Sequence, residues 1–287
     1  MTKAQAYYQL TKPGVLFGNA LSAAAGYLLA SRGHVDVMGF IWLCIGTTLV
    51  IASACALNNY LDQDIDAKMS RTKKRAAWIK AVGPRNAVIF AAILGVIGFA
   101  VLIAFTNWWV IAVEIIGYVD YVVFYGMWSK RQSWHGTAVG AISGAAPILA
   151  GYAGAAGTID WGGALAFLVI FVWQMPEFYS ISIYRREEYA AAGVPVISVV
   201  KGVRYATLHI FAYTVLFVLF SILLSVTGYT GVTYLVVMAA VGAYWLWLGA
   251  KGLYKNEPEA WARRMFKFSL TALLVFCFLI SVDAWLP

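Results

Sequence analysis

Charged residues are scarce in this chain: Asp, Glu, Lys and Arg make up 12% of its 287 residues, about half of the roughly 25% found in soluble globular domains. That shortage excludes a water-soluble fold, which needs a charged surface. Cysteine is scarcer still. Cys44, Cys55 and Cys277 stand in apolar runs without C-x-x-C spacing, so neither a disulfide framework nor a zinc site is expected, and all three are read as packing residues. No Pro- or Ser-rich linker divides the sequence, and one membrane domain over residues 1–287 is expected. The three histidines, His34, His135 and His209, are scattered and read as structural.

Apolar sequence is what the chain has in quantity, at 62% of residues. A bilayer core of ~30 Å needs roughly 20 apolar residues per helix, and nine such runs are present, at about 15–31, 38–57, 87–106, 108–127, 137–156, 162–183, 207–227, 231–250 and 265–284. The first, with small residues from Ser22 to Ala25, has some look of a signal peptide. It continues through Tyr27-Leu28-Leu29-Ala30 and is kept as the first helix. The expected fold class is therefore an all-α integral membrane protein with nine transmembrane helices.

Lys and Arg are retained on the cytosolic side of a membrane. With the N-terminus cytosolic, 20 of the 21 cations fall on that side, including Lys255, and Arg32 alone falls outside. Adding or losing a helix would scramble this asymmetry. Trp108, Trp109, Trp161 and Trp285 lie at expected outer ends and Trp128 at an inner one, where aromatic belts form. The formal charge of +8 thus reports topology first. Lipid is the expected surroundings and nucleic acid is not a partner.

The most informative polar segment is Asn58-Asn59-Tyr60-Leu61-Asp62-Gln63-Asp64-Ile65-Asp66, leaving the cytosolic end of the second run. Asn58, Asp62 and Asp66 stand at i, i+4 and i+8, so on a continuing helix their oxygens share one face with a rise of about 6 Å per step. Carboxylates so aligned repel unless a cation lies between them. Mg2+ suits them, taking one or two carboxylates and completing its shell with water and phosphate oxygens. A solvated acidic helix end is the alternative. Next come Lys68, Arg71, Lys73, Lys74 and Arg75, five cations directly after the acids. This order suits a diphosphate, with Arg71 or Arg75 gripping its oxygens bidentately and Lys73 acting as a point charge, although loop orientation alone accounts for some of them.

From Asn58 to Arg75 the sequence reads N-x-x-x-D-x-x-x-D followed by M-x-R-T-K, and it resembles the first aspartate-rich motif of the UbiA-type intramembrane prenyltransferases. Leu10-Thr11-Lys12-Pro13-Gly14, Lys130-Arg131, Ser143 to Pro147, Trp173-Gln174-Met175-Pro176, Tyr189 to Pro195, Val199 to Gly202 and Trp261-Ala262-Arg263 extend the likeness along the chain. The W-Q-x-P and A-G-x-P blocks point to the haem branch, the protohaem IX farnesyltransferases, rather than to quinone prenyltransferases. The resemblance implies nine helices around a central cavity, Mg2+ as cofactor, and farnesyl diphosphate and haem b as substrates. It also implies a multi-pass protein of the cell inner membrane with cytosolic active-site loops, whose product passes to a terminal oxidase or a haem A synthase.

The same resemblance distributes the site. Asn58, Asp62, Asp66 and Glu188 would hold the metal, Glu188 standing in the second polar segment, Tyr184 to Tyr189, where other UbiA-type enzymes carry a second aspartate-rich motif. Asp62, Asp66, Arg71 and Glu177 would be catalytic, and Asn58, Arg71, Lys73, Arg75, Lys130, Arg131, Arg185, Tyr189 and Lys201 would bind substrate. Two positions depart from the pattern: Glu177 and Ser198 stand where the haem branch usually has His and Pro. A carboxylate does not simply replace imidazole on iron, but it can act as a base or bind water. Asp120 and Glu177 lie in the cytosolic halves of their helices and are candidates for the cavity wall, since intramembrane carboxylates mark cavities or partners; Glu114, nearer the outer side, is the weaker candidate. Gly136, Gly140 and Gly144 recur every fourth residue and read as a close-packing stripe. The rivals are a quinone-precursor prenyltransferase of the same fold and a non-catalytic transporter or assembly protein. Metal-dependent diphosphate binding that Asp62→Asn abolishes would separate an enzyme from a scaffold.

Overall fold

The computed structural model describes residues 2–254 and 257–286; Lys255, counted above among the cytosolic cations, lies outside them. Among the described residues, nine helices are long and apolar enough to cross a bilayer: α1 Pro13–Ser31, α2 Val37–Leu61, α3 Pro84–Phe105, α4 Trp108–Gln132, α5 Gly136–Ala156, α6 Trp161–Tyr184, α7 Val203–Val226, α8 Val232–Lys251 and α9 Pro258–Trp285. Helices satisfy every backbone hydrogen bond internally, which lipid demands.

Local sequence fixes where these helices begin. Asp36 accepts from the Met38 and Gly39 amides, Asn107 from Trp109 and Val110, and Asp160 from Gly162 and Gly163, capping α2, α4 and α6. Pro13, Pro84 and Pro258 open α1, α3 and α9 at a position whose amide needs no helical partner. Helix α9 starts seven residues before the apolar run at 265 and α4 runs three residues past Ser129. Arg263, Arg264, Lys130 and Arg131 are therefore helical rather than in loops. Hydrophobicity marks only the lipid-embedded part of a helix, and polar residues carry it on into the interface.

The helices close into a ring. α1 packs on α2 and α5, α2 on α3, α4 on α5, α5 on α6, α6 on α7 and α9, α7 on α8, α8 on α9, and α9 returns to α1. The interior cavity, about 460 Å3, is lined by α1, α2, α4, α5, α6 and α9 together with the polar connectors, while α3, α7 and α8 buttress from outside. Backbone contact sets the spacing of α1 against α5: a methyl at Gly26 would stand 2.0 Å from the Ile148 carbonyl oxygen, and one at Gly151 1.9 Å from that of Ala23. The expected glycine stripe serves the same end, with Gly140 beneath the Tyr125 ring and Gly144 against the Gln174 amide.

The two polar connectors fold over the end of the bundle at which α2 and α6 finish. Helices Lys3–Leu10 and Lys73–Val82 pack onto α2 and α3 through Leu10, Ala56, Ile79 and Ala87. Ile65 and Met69 of the first connector meet Ala192 and Val194 of the second. An apolar contact thus brings together two charged segments more than a hundred residues apart.

Candidate active site

Asn58, Asp62 and Asp66 are all buried. The helix expected to carry them straight through is interrupted: α2 ends at Leu61, Asp62 caps it, and Gln63–Asp66 forms one further turn. The i to i+4 bonds persist, from the Asp62 amide to the Asn58 carbonyl (2.9 Å) and from the Asp66 amide to the Asp62 carbonyl (2.8 Å). The predicted face therefore survives the break.

Cations converge on this face. Lys130 donates to Asp62 Oδ2, Arg131 Nη2 lies 3.8 Å from Asp62 Oδ1, and Arg75 Nη1 lies 3.9 Å from Asp66 Oδ1. Lys12 donates to Asn58 Oδ1 and, at 3.3 Å, to the Tyr121 hydroxyl. Its backbone is left-handed, φ 53°, unusual for a residue with a side chain, and burial lowers its ammonium pKa to about 8. Arg71, Arg75, Lys12 and Lys130 all line the cavity.

Three buried polar atoms on the face have no hydrogen-bond partner: Asn58 Nδ2, Asp62 Oδ1 and Asp66 Oδ2. Carboxylate oxygens left without a hydrogen bond in a protein interior are costly, and they fit a divalent cation. Among the described residues no three His, Cys, Asp or Glu side chains converge tightly enough to cage a metal unaided. This suits a hard ion that draws the rest of its shell from water and phosphate oxygens.

The wall on the α4 side is unusual. Residues Asp120–Ser129 are wound as a π-helix, a form frequent at functional sites, and Tyr121 and Tyr125 stack there with ring centroids 5.7 Å apart while lining the cavity. Deeper in, Glu114 lines the cavity and accepts from Thr47 at 2.7 Å. Asp120 instead turns away from it, accepting the Ser143 amide at 3.1 Å. The expectation for these two acids is thus reversed: Glu114 shares with Gly117, Tyr118, Tyr121 and Tyr125 the i, i+3, i+4, i+7 face that lines the cavity, and Asp120 at i+6 falls off it.

A profile of the UbiA prenyltransferase family matches residues 19–271. The chain belongs to this family. A protoheme IX farnesyltransferase of Klebsiella pneumoniae is 42% identical over 281 residues, covering 98% of this chain and 95% of that protein, and one of Photorhabdus laumondii is 41% identical with 98% and 96% covered. Two solved structures share the fold. A digeranylgeranylglyceryl phosphate synthase superposes with a TM-score of 0.83 at 20% identity, over 99% of both chains. A UbiA homologue from Archaeoglobus fulgidus bound to GPP and Mg2+ gives 0.72 at 13% identity, over 96% and 99%.

In this UbiA-family chain the expected site residues divide. Asn58, Asp66, Arg71, Arg75, Lys130, Glu177 and Tyr189 line the cavity, and Asp62 lies buried beside them. Glu188 has both oxygens engaged, Oε2 by the Ser70 amide (3.0 Å) and hydroxyl (2.8 Å) and Oε1 by Arg185 (2.6 Å). Partial burial opposes its ionisation, but Ser70 and Arg185 outweigh that and hold its pKa below the usual range. It clasps the two polar connectors together. Arg131 clasps likewise, donating to both Asp64 oxygens at 2.8 Å and to the Leu61 carbonyl, and it holds the Asp64 carboxyl down to about 2. Lys73 and Lys201 are exposed, the latter with Nζ 5.6 Å from the Trp134 ring centroid. Lys73, Arg131, Arg185 and Lys201 do not line the cavity. Lys12, Tyr121 and Tyr125 were not among the expected site residues. The Leu10 to Gly14 block held the signal for Lys12, but only the tertiary fold shows its ammonium against Asn58.

Proposed function

We propose that this chain transfers the farnesyl group of farnesyl diphosphate to the vinyl group of haem b, with addition of water, releasing diphosphate. One observation carries the reading: a buried Asn58-Asp62-Asp66 face with orphaned oxygens stands beside Arg71 and Arg75 at the mouth of a largely apolar cavity. The volume, about 460 Å3, falls in the usual range for small-molecule sites. The protoheme IX farnesyltransferases with which it shares about two-fifths of its sequence support haem b as the acceptor, and the GPP and Mg2+ held by the Archaeoglobus protein support a prenyl diphosphate with metal.

Mg2+ would be held by Asn58, Asp62 and Asp66, and by Glu188 if it releases Ser70. When bound, it supplies the charge that neutralises the departing diphosphate. Arg71 and Arg75 reach the same oxygens from the facing side, bidentately where geometry allows. Lys12 and Lys130 add point charges that matter more as charge accumulates on the leaving group. The Tyr121 and Tyr125 ring faces stabilise positive charge on the allylic carbon, and the apolar wall keeps bulk water from quenching it. The chain acts as one membrane domain over residues 1–287, in the cell inner membrane, with its N-terminus and this site on the cytosolic side.

The test is the purified protein in detergent with haem b, farnesyl diphosphate and Mg2+, with haem products followed by chromatography and mass spectrometry. The expected product is a hydrated, farnesylated haem from the unaltered protein, with formation reduced by at least about 100-fold in Asp62→Asn, the scale on which electrostatic partners of a leaving group act. Bound farnesyl diphosphate without any haem product would remove haem as acceptor and point to a quinone precursor.

A further inference from the structure

Acids are rare inside this bundle, and nearly all are engaged. Asp62 is paired with Lys130, Asp66 lies beside Arg75, Glu114 accepts from Thr47 and Asp120 from the Ser143 amide. Glu177 differs. It lines the cavity from α6 and, among the described residues, has no hydrogen bond or ion pair. Its neighbours on the same helical face are spoken for: Gln174 Nε2 donates to the Ala141 and Ile170 carbonyls, and Trp173 Nε1 donates to the Ser269 carbonyl. Ile170, Trp173, Gln174 and Glu177 follow the i, i+3, i+4, i+7 spacing that turns one face inward, so the carboxyl is carried into the cavity by the same face that holds α6 to its partners.

Its depth separates it from the diphosphate groups. Glu177 stands seven residues before the cytosolic end of α6 at Tyr184, about 10 Å in at 1.5 Å per residue. An unpaired carboxylate beside a diphosphate would repel it. One placed deeper, where the acceptor and the prenyl chain react, meets positive charge instead.

We propose that Glu177 is the catalytic base that takes the proton from the water added to haem. This rests on the haem-farnesylating reading above. The vinyl terminal carbon bonds to the farnesyl C1 as the C1–oxygen bond to diphosphate breaks, leaving a positive centre on the vinyl carbon next to the porphyrin. The oxygen of one water bonds to that carbon, and the water gives up one proton to a Glu177 carboxylate oxygen. The product is the alcohol and a neutral Glu177, which passes its proton to solvent as the product leaves.

The experiment compares Glu177→Gln and Glu177→Asp with the unaltered protein, measuring Mg2+-dependent farnesyl diphosphate binding, diphosphate release and the mass of the haem product. Glu177→Gln keeps the shape of the side chain, and it is expected to bind farnesyl diphosphate as before. Its hydrated product should fall by at least about 100-fold, the scale of general-base catalysis, leaving farnesylated haem lighter by one water as the residual product. Glu177→Asp retains the base and should make hydrated product at a reduced rate. Hydrated product from Glu177→Gln at the unaltered rate overturns the proposal, as does loss of farnesyl diphosphate binding, which would place Glu177 in the diphosphate site or the packing. If the unaltered protein itself farnesylates no haem, the acceptor reading fails and this proposal goes with it, a result distinct from a hydrating Glu177→Gln.

Discussion

At the scale of single residues, the site depends on which charges are held in place and which are free. Lys12 is held by a left-handed backbone turn just before Pro13 and reaches over Asn58 and the Tyr121 hydroxyl. Burial already lowers its pKa to about 8, so the ammonium gains more than an exposed lysine would from an anion placed beside it. Lys12→Met retains the aliphatic stem and removes that charge. Farnesyl diphosphate binding in the presence of Mg2+, measured by titration calorimetry, should weaken by about 10-fold, the value of one charge-assisted contact, while the thermal transition stays close to that of the unaltered protein. Unchanged binding would make Lys12 a helix-start residue and nothing more. Residue identity alone did not separate Lys12 from the other cations. Lys73, Arg131, Arg185 and Lys201 carry the same charge in equally suggestive places, yet two are clasps and two are exposed. Their roles are decided by which carboxylate lies within reach, which is a property of the tertiary fold. The Asn58, Asp62 and Asp66 face was legible because it depends only on helical spacing.

At the scale of elements, close approach of α1 and α5 fixes the width of the cavity that both helices line. A methyl group at Gly26 would meet the Ile148 carbonyl oxygen at 2.0 Å, a main-chain atom that no rotamer change can move aside. Gly26→Ala should therefore force the helices apart at a cost of about 1–3 kcal/mol and lower the melting temperature in detergent by several degrees. Gly18→Ala, on the same helix with open space around it, should leave the transition in place, and equal melting of both variants would refute the contact. The spacing of Gly136, Gly140 and Gly144 suggested packing of this kind on α5 from sequence. Gly26 ends a comparable series, Gly14, Gly18, Ser22 and Gly26, but Gly14 and Gly18 face open space, so which of them meets the backbone of α5 was legible only in the fold. The expected runs began within one residue of the helices that Asp36, Asn107 and Asp160 cap. The start of α9 at Pro258 falls seven residues before its apolar run, because Arg263 and Arg264 carry the helix on ahead of it. The π-helix in α4 left no sequence signal that separates it from ordinary helix, whereas the placing of Glu114 on the cavity face and Asp120 off it follows helical spacing from Tyr121.

At the scale of the whole molecule, the site exists only if both polar connectors emerge on the same side of the membrane. Four helices, α3 to α6, separate residues 58–86 from 184–206, and an even number of crossings returns the chain to the side it left. Ile65 and Met69 then reach Ala192 and Val194, and Glu188 reaches Ser70. The distribution of 20 cations against one is the ground for expecting that side to be cytosolic. Single cysteines placed in a background lacking Cys44, Cys55 and Cys277 test the arrangement directly. Lys74, Arg186 and Thr158 are exposed, the first two in the connectors and the third between α5 and α6. An impermeant maleimide added to intact spheroplasts of an expressing bacterium should label Thr158→Cys and spare Lys74→Cys and Arg186→Cys, and all three should react once the membrane is opened. Labelling of both connectors from outside, with Thr158→Cys protected, would invert the protein and put the diphosphate face on the wrong side for a cytosolic substrate. If Lys74→Cys and Arg186→Cys reacted from opposite sides, an odd number of crossings would lie between them. The Ser70–Glu188 clasp could not then form, and the site built from the two connectors would have to be abandoned along with the count of nine.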